Sequence, residues 1–107
     1  MPKQGTIVLV PFPFTDLSAT KVRPAVVVSA KPIGDDVILA FISSKQKAGK
    51  YTVVIAPSEA NGLKVPSAII CSKLATLEKT TLLGEVGYME NNILKQIKAK
   101  LKLIFGI

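Results

Sequence analysis

The sequence predicts a mainly β protein, a small antiparallel barrel followed by one C-terminal helix. Three observations lead to this fold class. Short β-branched runs alternate with turn residues, no long helical segments separate these runs, and helical spacing of apolar residues is found only near the end of the chain. A chain of 107 residues also matches the usual size of one domain. We therefore expect residues 1–107 to fold as a single domain.

Apolar segments rich in Val, Ile and Leu end at proline, glycine or polar residues, which is typical of strands. The residues between the first two segments lose this pattern and are rich in hydroxyl groups, so we expect a loop there. Two shorter extended segments precede the helix. The predicted strands are Thr6–Val10, Arg23–Ser29, Asp36–Ile42, Tyr51–Ile55 and Ser67–Cys71, and the shorter segments are Leu74–Leu77 and Leu82–Tyr88.

The last part of the chain has the spacing of an amphipathic helix. Apolar residues recur at steps of four, four and three from Ile93 to Ile104, and lysines fall between them. Gly106 is a typical stop signal for such a helix. We interpret its apolar stripe as the side that packs on the barrel and its lysine side as a solvated surface.

Two predicted strands are apolar at every position instead of alternating. These segments are Ala25–Val28 and Val37–Ile42, and continuous apolar strands are typically buried on both faces. A chain of this length with one helix has little material to cover every outer face. We therefore expect a second subunit to cover part of the sheet, which predicts a homodimer.

The charge balance favours a polyanionic partner. The chain has 14 Lys and Arg against 7 Asp and Glu, a net charge of +7. This fits RNA, DNA or an acidic protein segment, although solubility alone also explains it. Of the 14 basic residues only Arg23 is an arginine. Its planar guanidinium can bind a phosphate through two bonds, whereas lysine offers a point charge.

The composition also excludes several kinds of site. The chain has no histidine, which rules out His-based acid–base pairs, Ser-His or Cys-His nucleophiles and His-ligated zinc. The carboxylates are scattered and form no recognisable metal loop, so we expect neither a metal nor a cofactor. Cys71, the single cysteine, is interpreted as a small core residue and fits a reducing cytoplasm. No run approaches the ~20 apolar residues of a membrane helix.

Motifs along the chain resemble those of the PemK/MazF toxin family. An opening strand, Gly5-Thr-Ile-Val-Leu-Val-Pro-Phe-Pro-Phe-Thr-Asp16, is followed by Lys21-Val-Arg-Pro-Ala-Val-Val-Val-Ser29. Segments 41–44 and 67–77 are similar to the next motifs. The resemblance implies a homodimer of Src-homology-3-like barrels of the CcdB/PemK type. It also implies the toxin of a type II toxin–antitoxin system, which cleaves single-stranded RNA without metal and binds an acidic antitoxin on the same surface.

The resemblance assigns three candidate catalytic residues. Arg23 matches the family's catalytic arginine because it precedes a proline at a strand start. Ser43 matches a Ser/Thr position, and Ser44 beside it leaves a shifted register open. Asp16 is the only carboxylate in the first loop and is the candidate general base, although it equally fits an ordinary turn. RNA carries its own nucleophile, the 2′-OH, so these groups need only align it, withdraw its proton and stabilise charge.

One departure from the family's pattern concerns the proton relay. Ile70 and Ser72 stand where some members carry a basic and an acidic residue. The fold also hosts non-enzymatic toxins. The end of the chain, Phe105-Gly106-Ile107, loosely resembles the tail of CcdB-type toxins, which poison DNA gyrase. A non-catalytic binding protein on the same fold is therefore the alternative function.

Basic and aromatic residues near the same loops are candidates for RNA binding. Lysines are expected to follow the RNA backbone. The aromatic rings next to the first proline pair can either stack on bases or close the end of the barrel. The candidate RNA-binding residues are Lys21, Ser44, Lys45, Lys47 and Phe14, with Lys50 and Phe12 beside them.

Overall fold

The computed structural model describes residues 2–11, 21–45 and 48–107. Six antiparallel strands form one sheet that curls into a half-barrel, and one helix packs against β4 and β5. This confirms the mainly β fold with a C-terminal helix. The elements are β1 (Thr6–Pro11), β2 (Val22–Val27), β3 (Asp36–Ser43), β4 (Thr52–Ile55), β5 (Ser67–Glu78), a 3₁₀ turn (Lys79–Thr81), β6 (Gly84–Tyr88) and α1 (Asn91–Phe105).

The sheet has the strand order β4-β5-β3-β2-β1-β6, so β4 and β6 are its edges. Each neighbouring pair is antiparallel. The two strands predicted to be apolar throughout, β2 and β3, lie next to each other in the middle. This position explains their composition, because central strands of a curled sheet are covered on both faces.

The longest strand, β5, was predicted as two separate segments, and that prediction is wrong. β5 pairs with β3 from Ser67 to Glu78, with a shift in register where Ala40 pairs with Leu74 and Phe41 pairs with Ile70. The residues between these partners, 71–73, form a bulge. Ser72 and Lys73 are exposed in this bulge. These two polar residues interrupt the apolar pattern of β5 in the sequence.

The C-terminal helix is confirmed, since α1 from Asn91 to Phe105 contains the predicted apolar positions from Ile93 to Ile104. α1 ends at Gly106, which has a left-handed φ of +70° and donates its N–H to the Lys102 carbonyl at 2.8 Å. A residue without a side chain adopts this conformation at little cost. Leu94 and Ile97 are the buried residues of α1, while the lysines at 95, 98 and 102 are exposed.

Both faces of the central strands are buried, as predicted. On one face, Val26, Ala40 and Ile42 pack with residues of α1. On the other face, residues of β1, β2 and β3 pack with Ala75 and Leu77 from the second half of β5. The chain therefore covers both faces itself. The reasoning that a second subunit must provide this cover is wrong, and the homodimer stays a prediction that needs another basis.

A loop closes the gap between the two edges of the sheet. The connection from β4 to β5, residues 56–66, crosses to β6, where the Tyr88 N–H donates to the Ala60 carbonyl at 2.8 Å. Gly62 and Gly87 permit this close approach: a Cβ on Gly62 would overlap the Val86 carbonyl, and one on Gly87 would overlap Ala60. The sequence analysis predicted no strand or helix between Ile55 and Ser67. The role of this loop in closing the barrel depends on contacts with β6, which is distant in sequence.

Candidate functional site

The pairing between β2 and β3 stops before the start of β2 and the end of β3. Their ladder begins at the pair Ala25–Phe41, directly after a proline that has no N–H to donate. Beyond this pair, Arg23 stays paired with Val10 of β1, and Ser43 stays paired with Ala68 of β5. The ladder of the two central strands therefore ends before Arg23 and Ser43, and we call this unpaired end of β2 and β3 the gap.

A cavity of about 300 Å³ lies at this gap, a volume at the lower limit of ligand pockets. β2 and β3 form one wall, and the opposite wall comes from the loop that closes the barrel and from β6. Apolar side chains predominate. The lining residues are Leu9, Arg23, Pro24, Ile42, Ser44, Gly62, Leu63, Lys64, Val65, Ser67 and Val86. We call this space the Arg23 cavity.

The two serines at the end of β3 differ in their surroundings. The Ser43 Oγ accepts a hydrogen bond from the Lys45 N–H at 3.2 Å and so holds the turn that follows β3. Ser44 is exposed and lines the Arg23 cavity, whereas Ser43 is half-buried at the strand end beside it. The structure therefore brings Ser44 and Arg23 to one cavity and leaves Ser43 at its border.

Only some of the predicted RNA-binding lysines lie at this end of the sheet. Lys21 precedes β2 and Lys45 follows β3, so both exposed side chains lie at the end of the sheet that holds the gap. Lys50 precedes the edge strand β4 instead, and its Nζ lies 5.5 Å from the centre of the Tyr51 ring. Because β5 lies between β4 and β3, Lys50 is two strands away from β3. Asp16, Phe12, Phe14 and Lys47 lie outside the described residues.

A set of residues that the sequence did not single out forms the far wall of the Arg23 cavity. Leu63, Lys64 and Val65 lie just before β5, and the loop that carries them is held by Asn61. The Asn61 side chain is 1% exposed. Its Oδ1 accepts from the Ser58 and Leu63 N–H groups at 2.9 and 3.0 Å, and its Nδ2 donates to the Ala56 carbonyl at 3.0 Å.

The only signal in the sequence for this loop was local. Ser58 stands three residues before Asn61, and a glycine follows it, which is the composition of a turn with side-chain hydrogen bonds to the backbone. The Asn61 N–H indeed donates to the Ser58 Oγ at 3.0 Å. The pattern predicts a tight turn, but its position against Arg23 depends on the packing of the loop on β6.

The positions that depart from the family's pattern lie away from the Arg23 cavity. Ile70 pairs with Phe41 of β3 and with Thr52 of β4, and Ser72 is exposed in the bulge of β5. Neither lines the cavity. Cys71 between them is fully buried, and this burial raises the pKa of its thiol against a smaller opposing effect of Lys100. Cys71 is therefore a core residue, as predicted.

The described residues that line the Arg23 cavity carry a net positive charge. Arg23 and Lys64 line it, and no carboxylate does so among residues 2–11, 21–45 and 48–107. Within the same residues, no group of three or more His, Cys, Asp and Glu side chains is arranged to hold a metal ion. A helix long and apolar enough to cross a membrane is also not found in these segments.

The chain matches a family model described as "PemK-like, MazF-like toxin of type II toxin-antitoxin system" over residues 3–105. This match spans nearly the whole sequence, so the chain belongs to that family of toxins. The resemblance carried by the two N-terminal motifs is thereby confirmed. No curated protein sequence matches the chain.

Solved structures of such toxins share the fold. A mycobacterial endoribonuclease in complex with its cognate antitoxin superposes with a TM-score of 0.80 at 19% identity, covering 100% of this chain and 97% of that one. The Mycobacterium tuberculosis toxin MazF-mt6 gives 0.78 at 19% identity, with 95% and 97% covered. A MazE-MazF structure from Deinococcus radiodurans gives 0.79 at 18% identity, with 99% and 97% covered. At these identities the likeness establishes the fold.

Proposed function

We propose that this toxin is an endoribonuclease that cleaves single-stranded RNA by attack of the 2′-OH on the adjacent phosphate. The observation that carries the proposal is the unpaired end of β2 and β3, where Arg23 and Ser44 line one positively charged cavity and Ser43 is the neighbour of Ser44. An endoribonuclease from a mycobacterium is among the structures with the same fold.

Each residue of the gap has a role in this reaction. The Arg23 guanidinium binds two non-bridging oxygens of the phosphate and stabilises the charge that builds up as the fifth bond to phosphorus forms. A serine hydroxyl at 43 or 44 donates a hydrogen bond to one of these oxygens. Asp16 remains the proposed general base, which takes the proton of the 2′-OH. The P–O5′ bond then breaks, and the leaving 5′-oxygen takes up a proton from water to give the 5′-OH end. Lys21 and Lys45 attract the neighbouring phosphates.

We also propose an acidic antitoxin segment as the partner of this end of the sheet. Structures with the same fold include toxins in complex with their antitoxins. The net charge of +7 and the lysines around the gap suit an acidic, disordered segment that folds on binding. An antitoxin bound there excludes RNA. Adding increasing antitoxin to labelled RNA on the toxin should displace the RNA, and simultaneous binding at full affinity would contradict a shared site.

A homodimer has a specific candidate interface at the opposite end of β2 and β3. An apolar groove of about 360 Å³ lies between the sheet and the end of α1, and it is lined by Val28, Ile38, Leu74, Leu101 and Phe105, among others. Phe105 is nonetheless 59% exposed. The groove and the exposed side chain of Phe105 lie next to each other. A second copy related by a twofold axis can therefore cover the groove and Phe105 at the same time. We propose that a second copy occupies this groove.

The experiment that tests the function is cleavage of single-stranded RNA by the purified toxin with and without EDTA. Because the proposed reaction uses the substrate's own hydroxyl and no metal, the rate should be unchanged in chelator. The products should carry 2′,3′-cyclic phosphate and 5′-OH ends, which enzymatic end-labelling distinguishes. Loss of activity in EDTA, or products with 3′-OH ends, would contradict the mechanism.

A DNA gyrase supercoiling assay with the same preparation separates the enzyme from the alternative. An intact RNA substrate together with inhibited supercoiling would identify a gyrase-poisoning toxin on the same fold. We expect the RNA to be cleaved and DNA gyrase to be unaffected. We propose the cytoplasm as the location of this activity, because the RNA substrate is found there.

A further inference from the structure

We infer that the Arg23 cavity binds one nucleobase next to the cleaved phosphate, and that Lys64 and Val65 determine which base is accepted. This inference rests on the proposed endoribonuclease function. It assigns a role to the loop before β5, which lies 40 residues along the chain from Arg23 and carries none of the residues that the family motifs mark.

The first argument is continuity between the cavity and the gap. Arg23 and Ser44 belong to both, so the cavity opens where the phosphate is proposed to bind. A phosphate in RNA is joined to a ribose on each side, and each ribose carries a base. One of the two bases next to a phosphate at Arg23 must therefore lie at or near the mouth of this cavity.

The second argument is the chemistry of the lining. Proteins that bind an unstacked base hold its faces between aromatic or apolar side chains and its edge by hydrogen bonds. The side chains of Leu9, Pro24 and Val65 supply apolar surface of this kind. Lys64 and Ser44 supply hydrogen-bond donors, and Lys64 favours base edges that present acceptors, as in guanine O6 and N7.

The third argument is the rigidity of the loop that carries these residues. Three hydrogen bonds of the buried Asn61 side chain, at 2.9 to 3.0 Å, fix the backbone from Ala56 to Leu63. Gly62 packs directly against the Val86 carbonyl of β6. A wall that is ordered before the ligand arrives loses little conformational entropy on binding and discriminates well between ligands.

An apolar side chain of an acidic antitoxin segment is the other occupant that fits an apolar, positively charged cavity. The continuity with Arg23 favours the base, because the substrate cannot reach the phosphate site without placing a nucleoside beside the cavity. The peptide interpretation is therefore one of the outcomes that the experiment must separate.

The test is sequencing of the 5′ ends produced from a long single-stranded RNA by the wild-type toxin and by variants of the cavity wall. Lys64→Glu exchanges a donor for an acceptor, so the preference at one position next to the cleavage site should shift by about tenfold towards bases that present an amino group, such as cytosine. Lys64→Gln and Val65→Ser should weaken the preference at that same position. Val65 is 50% exposed, so its substitution disturbs the fold little.

Two matched control variants lie away from the cavity. Lys95→Gln removes the same charge from the solvated side of α1, and Val54→Ser removes a valine that is 55% exposed on β4. Both should keep the wild-type preference at every position. A change in preference confined to the Lys64 and Val65 variants supports the inference, since a general loss of stability lowers all cleavage rates without changing their ratios.

Three results would overturn the inference. If the wild-type toxin cleaves RNA and both Lys64 variants keep its sequence preference, the base pocket is wrong while the proposed function stands. If the Lys64 and Val65 variants keep that preference but lose affinity for the antitoxin, the cavity is a peptide site. If the wild-type toxin cleaves no RNA under any condition, the proposed function is wrong, and the inference that rests on it is wrong as well.

Discussion

The two ends of the central strand pair β2–β3 differ in chemistry although the strands between them are uniformly apolar. At one end the pairing of the strands stops, and Arg23, Ser43 and Ser44 lie there together with the exposed Lys21 and Lys45. At the other end Val28 and Ile38 belong to an apolar groove against α1. The same pair of strands thus offers a cationic surface at one end and an apolar surface at the other.

The difference indicates two kinds of partner. Cations and hydroxyl groups at a strand end suit a phosphate chain, because charge-assisted hydrogen bonds remain favourable in partial contact with water. An apolar groove gains free energy only when another apolar surface covers it, at roughly 25 cal/mol per Å² buried. We therefore propose RNA and the antitoxin as partners of the Arg23 end and a second subunit as the partner of the α1 end.

The largest expected effect concerns Arg23. If Arg23 clamps the phosphate, Arg23→Lys should lower kcat by ~10²-fold or more while RNA affinity changes little, because lysine keeps the charge but loses the two-pronged geometry. Lys21→Arg is the matched control and should cleave like the wild type. A fully active Arg23→Lys protein with a wild-type circular dichroism spectrum would remove Arg23 from the mechanism.

The next largest effect concerns the apolar end. Phe105→Asp places a charge in the proposed interface, so the dissociation constant of the dimer should rise by about 30-fold or more. Light scattering across a dilution series measures this change, and the wild type should have twice the mass of the 11.4 kDa chain at micromolar concentration. Leu103→Asp is the control, since Leu103 is 61% exposed on the same helix but does not line the groove. Equal dimer stability in the two variants would assign the interface elsewhere.

The smallest effect concerns the charges around the gap. Lys45→Ala should weaken RNA binding without changing kcat, and the slope of log affinity against log salt should fall by about 0.7, the value for one phosphate contact on a single strand. Lys79→Ala serves as the control, because Lys79 pairs with Asp35 at 3.5 Å on an exposed surface that does not line the Arg23 cavity. An identical salt slope for Lys45→Ala and wild type would place Lys45 outside the RNA path.

Local patterns in the sequence were sufficient for most elements of the fold. The helix from Asn91 to Phe105 follows from the spacing of its apolar residues and from Gly106, and both depend on contacts within a few turns. The strands β1 to β4 follow from β-branched runs in the same way. β5 was divided wrongly because a bulge is visible only against its partner strand β3, where Cys71–Lys73 have no opposite residues.

The candidate site was predictable in part. Arg23 and the serine pair were identified from a motif, and the structure places them at the same end of the neighbouring strands β2 and β3. The choice between the two serines was not available from the sequence, because it depends on the turn in which the Ser43 Oγ accepts from the Lys45 N–H. Lys64 was missed altogether, since a lysine in a loop has no local signal that distinguishes it from other surface lysines.

The sequence by itself determined the family, the number and type of most elements, and the presence of Arg23 at a strand start, because these depend on short-range spacing and residue type. The tertiary structure alone decided what lies opposite Arg23 and what covers the central strands. Asn61 fixes the loop with Lys64, and β6, far along the chain, receives that loop at Tyr88. Such contacts join distant segments through packing and hydrogen bonds of the whole fold, so no local pattern encodes them.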